Sequence, residues 1–474
     1  MDPRQRARVS YAPARDHRRA DPGRRAEILR RRQLRARSVR SGRRVAVIRL
    51  ALALLATVVL GAPPDAAAQT TRERLDNGFT VIVRENPVAP VVAVSLLVKM
   101  GTWWETPSNG GISNFVHAVM VRGTTKRSGA ELAEAIAALG GKISASGEVD
   151  YSEIRASALA RFWRELLGFT AELALTPKLA PGELDGERDW IIGRIQKRRD
   201  SAPSRAFDEF FATLYGPHPY SLQVLGTPES LRRVDYAALV GWYRRFYRPE
   251  QMTLAVSGQV SATEVLAEAR RLFGELPRGG QVVESARPTP ANPGTRRVIE
   301  QPAQQTQILA GGLAPSLSQP DHAAVKVLST ILGGGMAGRL FVELRDKRGL
   351  AYTAASYYDP VRDPGALILY LGTAPENATK AEEGLRREID RIRTEAVSDD
   401  ELGRAKGYLL GRYTMDRRTN ERQAWYLAFY ESEGASQDFP ERYRKAVEAV
   451  TPADVLRVAK QYLDKITTLV LRPR

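Results

Sequence analysis

Few side chains in this sequence have the type and spacing to do chemistry. There are four histidines, His17, His117, His218 and His322, and no cysteine. Without thiols there can be no disulfide, thiolate metal site or cysteine nucleophile. Four scattered imidazoles leave a zinc site little to draw on. The stretch "GGGMAGR", ending at Gly338 and Arg339, approaches a phosphate-binding loop, but that loop needs Lys and a hydroxyl where Arg339 and Leu340 stand. It also follows "HAAVKVLSTIL", which reads as a helix and not a strand, so the expectation is a glycine loop without a nucleotide. His218 lies between two prolines with no second His or carboxylate at ligand spacing, and reads as a turn residue. His322 stands alone near a helix start, and no G-x-S-x-G elbow is present. The informative stretch is "GGISNFVHAVMVRGT" at 110–124. Ile112, Phe115, Val119 and Met120 recur there at helical spacing, which predicts a helix over residues 111–121 with one buried face.

The elements that must position these residues fall into two similar halves. Residues 277–297 are rich in proline, lack apolar periodicity and read as a linker between a first half at 69–276 and a second at 298–474. Each half opens on strand-like runs: "FTVIV" and "VVAVSLLVKM" in the first, "QTQILAGGL" in the second. Ser128 with Glu131, and Ser398 with Glu401, have capping-box spacing, while Thr451-Pro452 sets a cap residue before a first-turn proline. Both halves close on helix, short turn, strand. Strands cluster instead of alternating with helices, so the expected class is α+β, two homologous domains, each an antiparallel sheet covered by helices.

The first 68 residues read as an export leader. Residues 1–49 carry 17 Arg and a charge of +13; the body from residue 69 onward carries only +5 of the chain's total +17. The strongly basic balance therefore belongs to the leader, and no nucleic-acid partner is expected of the body. The run "LALALLATVVLG" from Leu50 follows Arg43, Arg44 and Arg49, and ends in small residues with Ala66 and Ala68 placed for cleavage. It is shorter than the ~20 residues of a membrane span. The prediction is a signal peptide cut near Ala68, a periplasmic or secreted product, and no membrane association after cleavage. The long basic segment before the apolar run is also compatible with a translation start near Val39 or Val45.

At residues 110–124 the sequence resembles the insulinase/pitrilysin zinc metallopeptidases, a family that includes the mitochondrial processing peptidase. Its members carry "GxAHFLEHMxFxGT", in which an H-x-x-E-H motif supplies two zinc-ligating histidines and a Glu general base. The frame aligns without gaps, but Asn114 stands at the first His, His117 at the Glu and Ala118 at the second His. A third ligand, a Glu in a run like "ERxxVxxE", is matched by "ERDWIIGR", where Glu187 and Arg188 agree and Arg194 replaces the ligand. A methyl group cannot bind zinc, and a permanent cation repels it. The likeness runs over the mature chain through "LDNGFTVIVREN", "GPHPYSLQVLGTPESL", "FYRPEQMTLAVSG" and "GGGMAGRLFVELRDKRGLAYTAASYY". It implies half of a clam-like chamber, no metal in this chain, and zinc in a homologous H-x-x-E-H partner subunit. It also implies a peptide substrate, reached by Arg345 and Tyr352 of "LRDKRGLAY". The expected function is a non-catalytic, substrate-binding subunit of a heterodimeric zinc peptidase, not a peptidase alone. An inactive binding or scaffold protein of the same fold, and a hydrolase with an unrecognised site, are the alternatives.

Overall fold

The computed structural model describes residues 69–474 except 281, 283–286 and 360; the leader and its cleavage site lie outside the described residues. The first half runs β1 (Thr70–Arg74), β2 (Thr80–Glu85), β3 (Val91–Val98), α1 (Ile112–Met120), α2 (Gly129–Ala138), β4 (Lys142–Gly147), β5 (Ser152–Leu159), α3 (Trp163–Leu175), α4 (Leu184–Asp200), α5 (Ala202–Tyr215), α6 (Pro228–Arg233), α7 (Tyr236–Phe246), β6 (Met252–Gly258) and α8 (Ala262–Phe273). The second runs β7 (Arg296–Gln301), β8 (Thr306–Ala314), α9 (His322–Gly333), a π-helical turn (Phe341–Asp346), β9 (Thr353–Asp359), β10 (Gly365–Thr373), α10 (Ala378–Thr394), α11 (Asp399–Asp416), α12 (Asn420–Ser432), α13 (Phe439–Ala449), α14 (Pro452–Tyr462) and β11 (Thr467–Pro473).

The duplication is visible in the sheets. The first has the order β1-β2-β6-β3-β5-β4 and the second β7-β11-β8-β10-β9. Apart from the extra edge strand β1, the orders superpose strand for strand. Each sheet is antiparallel except for one equivalent parallel pair, β2 with β6 and β7 with β11. Helix starts follow the capping rules in part. Ser128 and Glu131 close a reciprocal box on α2, and Thr451 does so with Asp454 on α14. Ser398 caps α11 from its own side only, because the Glu401 carboxylate is drawn instead into a bidentate pair with Arg339 at 2.7 and 2.8 Å.

The strands read as continuous apolar runs because both faces of each sheet are covered. Val81, Val83, Val92, Val94 and Leu96 face the main core of the first half. The alternate residues Ile82, Ala93, Leu97 and Ala255 face a second layer formed by α12. That helix comes from the second half and packs on β3 and β6. Its counterpart α5 leaves the first half and packs on β8 and β11. Each half thus lends the other a helix. Trp425 and Phe429 stack 4.8 Å apart on α12, with Trp425 Nε1 donating to the Tyr151 hydroxyl at 3.0 Å. On α5, the Phe207 ring meets Tyr357 at 5.6 Å and Tyr370 at 5.4 Å. Buried Asn420 satisfies its amide across the junction, accepting from Asn86 at 2.8 Å and donating to the Val91 carbonyl at 3.1 Å. Fully burying each such aromatic is worth about 1.5–3 kcal/mol, so the exchange ties the halves into one cooperative body.

Candidate functional site

Helix α1 begins at Gly111, whose φ of +89° is left-handed; a Cβ there would also lie 2.6 Å from the Leu225 carbonyl oxygen. Only glycine tolerates both demands. No Ser, Thr, Asp or Asn side chain caps this start. Glu105, six residues upstream and only 4% exposed, takes that role from a distance. Its carboxylate accepts from the Gly111 N–H at 2.7 Å and from the Ser113 N–H at 2.9 Å. These bonds favour the charged form, but burial outweighs them and the Glu105 carboxyl is pushed up to about 7. Trp242 Nε1 donates to Ser113 Oγ at 3.0 Å, which locks the same turn from α7.

His117 is fully buried one turn further on. Its Nδ1 lies 2.6 Å from the Ser113 carbonyl and its Nε2 2.8 Å from the Tyr247 hydroxyl. A carbonyl can only accept, so Nδ1 carries the proton and Nε2 accepts from Tyr247. Burial lowers its pKa to about 4. The ring is therefore neutral, with both nitrogens engaged inside the protein: neither base nor metal ligand is on offer. Asn114 and Ala118, one turn apart, occupy the partly exposed side of the same helix. The Asn114 Nδ2 is buried without an acceptor among the described residues.

Helix α4 packs against α1. Buried Glu187 pairs with Arg122 just beyond the end of α1. Arg188 donates to the carbonyls of Leu231 and Val234 at 3.1 and 3.0 Å and lies over the Phe115 ring. These residues hold helices together. Arg194, two turns past Glu187, is exposed and stacks over the Trp190 ring at 4.7 Å; desolvation lowers its pKa below the usual arginine value. Among the described residues no three of His, Cys, Asp and Glu come together as a metal would require. An amide, a methyl and a guanidinium at 114, 118 and 194 do not fit zinc.

The remaining sequence candidates are built differently. Arg345 lies in the last part of the π-helical turn, with its guanidinium 4.8 Å from the Phe341 ring. Tyr352, 62% exposed, precedes β9, and its backbone N–H donates to the Gly372 carbonyl at 2.8 Å. Both side chains are exposed, on the second half, and neither has an ion-pair or hydroxyl partner among the described residues. His218 caps a short turn, accepting from the Tyr220 N–H at Nδ1 and donating from Nε2 to Asp363 of the second half at 2.9 Å. His322 is buried against the Tyr358 hydroxyl at 3.0 Å. In the glycine loop a Cβ on Gly333 would fall 2.2 Å from the Ser356 nitrogen, so close packing on β9 accounts for the glycine. Glu105 and Tyr247 are site residues that sequence reasoning misses. The missing cap before α1 is the available signal for Glu105; for Tyr247, 130 residues from His117, there is none.

A profile described as the insulinase family (peptidase family M16) matches residues 80–228, and one described as the peptidase M16 inactive domain matches residues 233–409. The chain belongs to the insulinase family. Among curated relatives, an uncharacterized zinc protease of Mycobacterium bovis is 28% identical over 412 residues, covering 85% of this chain and 93% of the relative. An uncharacterized zinc protease of Bacillus subtilis is 25% identical over 340 residues, covering 72% and 82%. Among solved structures, a protease from Helicobacter pylori aligns with a TM-score of 0.80 at 21% identity, over 86% of this chain and all of that one. A structure from Pseudomonas fluorescens described as a peptidase M16 inactive domain aligns at 0.78 with 22% identity, over 86% of this chain and 98% of that one. The fold is that of the two-domain family peptidases.

Proposed function

We propose that this insulinase-family chain is the non-catalytic, substrate-binding subunit of a periplasmic zinc peptidase, acting on peptides only with a homologous partner that carries an intact H-x-x-E-H helix and the zinc. The observation that carries the reading is the state of α1. The position of the family's general base holds His117, sealed by Ser113 and Tyr247, and the ligand positions hold Asn114, Ala118 and Arg194. Arg345 and Tyr352, by contrast, are exposed, and neither side chain has an ion pair or a hydroxyl hydrogen bond among the described residues, which suits groups that act on a ligand brought by another chain. A Tyr hydroxyl can donate to a developing oxyanion, and Arg can hold a peptide carbonyl by charge-assisted bonds.

Export follows from the leader: cleavage near Ala68 would release the two-sheet body, in which no helix among the described residues is long and apolar enough to cross a membrane. An inactive binding protein of the same fold is the second reading, favoured by the same dismantled site. Mixing the purified mature chain with an H-x-x-E-H homologue separates the two. Peptide hydrolysis by the pair alone, lowered ~10²–10³-fold by Tyr352→Phe or Arg345→Ala with complex formation intact, supports the subunit. Peptide binding without hydrolysis in any combination supports the binding protein, and hydrolysis by this chain alone refutes both.

A further inference from the structure

We propose that the surface carrying Asn114, Ala118, Trp190 and Arg194 binds a carboxylate of a peptide ligand, so that an anion is taken where active relatives of the family would place a cation. This rests on the peptide-binding role proposed for the chain. Arg194 lies over the Trp190 indole at 4.7 Å. A guanidinium placed over an aromatic face can still offer its edge N–H groups, the ones that grip a carboxylate bidentately. Two other arginines on α4 are paired, Arg188 with Asp185 and Arg198 with Asp208. Arg194 is a cation without an ion pair among the described residues, beside an indole that is 54% exposed.

Asn114 supplies a second donor. The Glu187–Arg122 pair sets the start of α4 beside the end of α1. Helix α4 packs on α1; Arg194 lies two turns on from Glu187 along α4, and Asn114 lies two turns back from Arg122 on the partly exposed side of α1. The Asn114 Nδ2 has no acceptor in its inward orientation, so turning the amide to offer N–H to a ligand breaks no bond. Ala118, one turn away, adds no acceptor that would repel an anion.

The second half repeats the device. Helix α11 holds the place of α4, and its "YLLGR" matches "WIIGR" residue for residue, with Tyr408 at Trp190 and Arg412 at Arg194. Tyr408 is 46% exposed and Arg412 lies over its ring at 6.0 Å, again without an ion pair among the described residues. The same exposed aromatic with an unpaired arginine four residues on, at the same place in both halves, argues against a chance surface pair.

The carboxylate can be the C-terminus of a peptide or an Asp or Glu side chain within it. Calorimetric titration of the mature chain with three forms of one neutral octapeptide distinguishes them: free acid, C-terminal amide, and amide with a central Glu. The neutral amide should bind ~10-fold or more weakly than a carboxylate-bearing form, and the tighter of the two charged forms identifies the source. Arg194→Gln, on the exposed side of α4, should abolish the difference while leaving the far-ultraviolet dichroism and the urea midpoint unchanged. Equal binding of all three peptides, or a preference that survives Arg194→Gln, would overturn the carboxylate site and leave peptide binding standing. No binding of any form would bring down both.

Discussion

Replacing Glu105 by Gln tests how α1 is held. The substitution keeps the shape and one acceptor but sets an amide NH₂ against one of the two backbone N–H groups, at Gly111 or Ser113, that the carboxylate now satisfies. A buried donor without a partner costs about 1–3 kcal/mol. The wild-type side chain has its own cost. Its pKa is raised from 4.5 to about 7 by burial. Between these values the folded protein holds a proton that the unfolded chain has released, so Glu105 loses stability as pH rises through that window, by about 1.4 kcal/mol per unit and about 3 kcal/mol in all. The contribution is fully present below pH 4.5 and gone above about 7. Near pH 4.5 the protonated Glu105 also sets a hydroxyl hydrogen against one of these N–H groups, so Glu105→Gln should be less stable than wild type by only about 1 kcal/mol there, and this deficit should reverse by about pH 8. Other titrations, including that of His117, whose lowered pKa acts in the opposite direction, are common to both proteins and cancel in the difference. Urea midpoints for the two proteins, taken at steps across this pH range, measure it. A deficit that grows with pH would mean that the helix N-terminus stabilises the carboxylate more than burial penalises it, and would refute a Glu105 held protonated by its surroundings.

Phe429→Ala, which removes the ring stacked on Trp425, should cost about 3–5 kcal/mol. Because α12 covers the first sheet, hydrogen exchange should accelerate in β3 and β6 as well as in the second half; acceleration confined to the second half would contradict the helix exchange. Elemental analysis of the purified mature chain should find no stoichiometric zinc and chelators should leave its stability unchanged, whereas about one tightly held zinc per chain would reverse the reading of positions 114, 118 and 194. N-terminal sequencing of the exported protein should begin at or near Gln69; a product that still carries the arginine-rich leader would remove the periplasmic assignment.

Much of the site is legible in residue types, because the chemistry of a metal site is a matter of donors. Asn, Ala and Arg at three positions decide against zinc in any geometry, and the 3.6-residue period around Phe115 and Val119 places the helix within a residue of its observed ends. What these residues do instead is not legible. In sequence His117 stands at the position of the general base, and only the approach of Tyr247 from the end of α7 shows that its second nitrogen is consumed. The capping box at Ser398 fails for the same kind of reason: Arg339, 62 residues away, competes for the Glu401 carboxylate.

The division between local and tertiary information is sharpest in the duplicated fold. Sequence alone determined that there are two α+β halves, because strand runs, caps and the helix–turn–strand ending are local patterns that repeat. That the strands are buried on both faces emerges in the fold, where "VVAVSLLV" and "GALILYLGT" are covered along nearly their whole length. Which helix covers the second face was decided only in three dimensions. Nothing within the segments of α5 and α12 records that each lies on the other half's strands. That choice follows from the connections and from contacts such as Trp425 with Tyr151 and Asn420 with Val91, which are 274 and 329 residues apart in the chain. Burial is a property a residue can announce by its type; a partner is not.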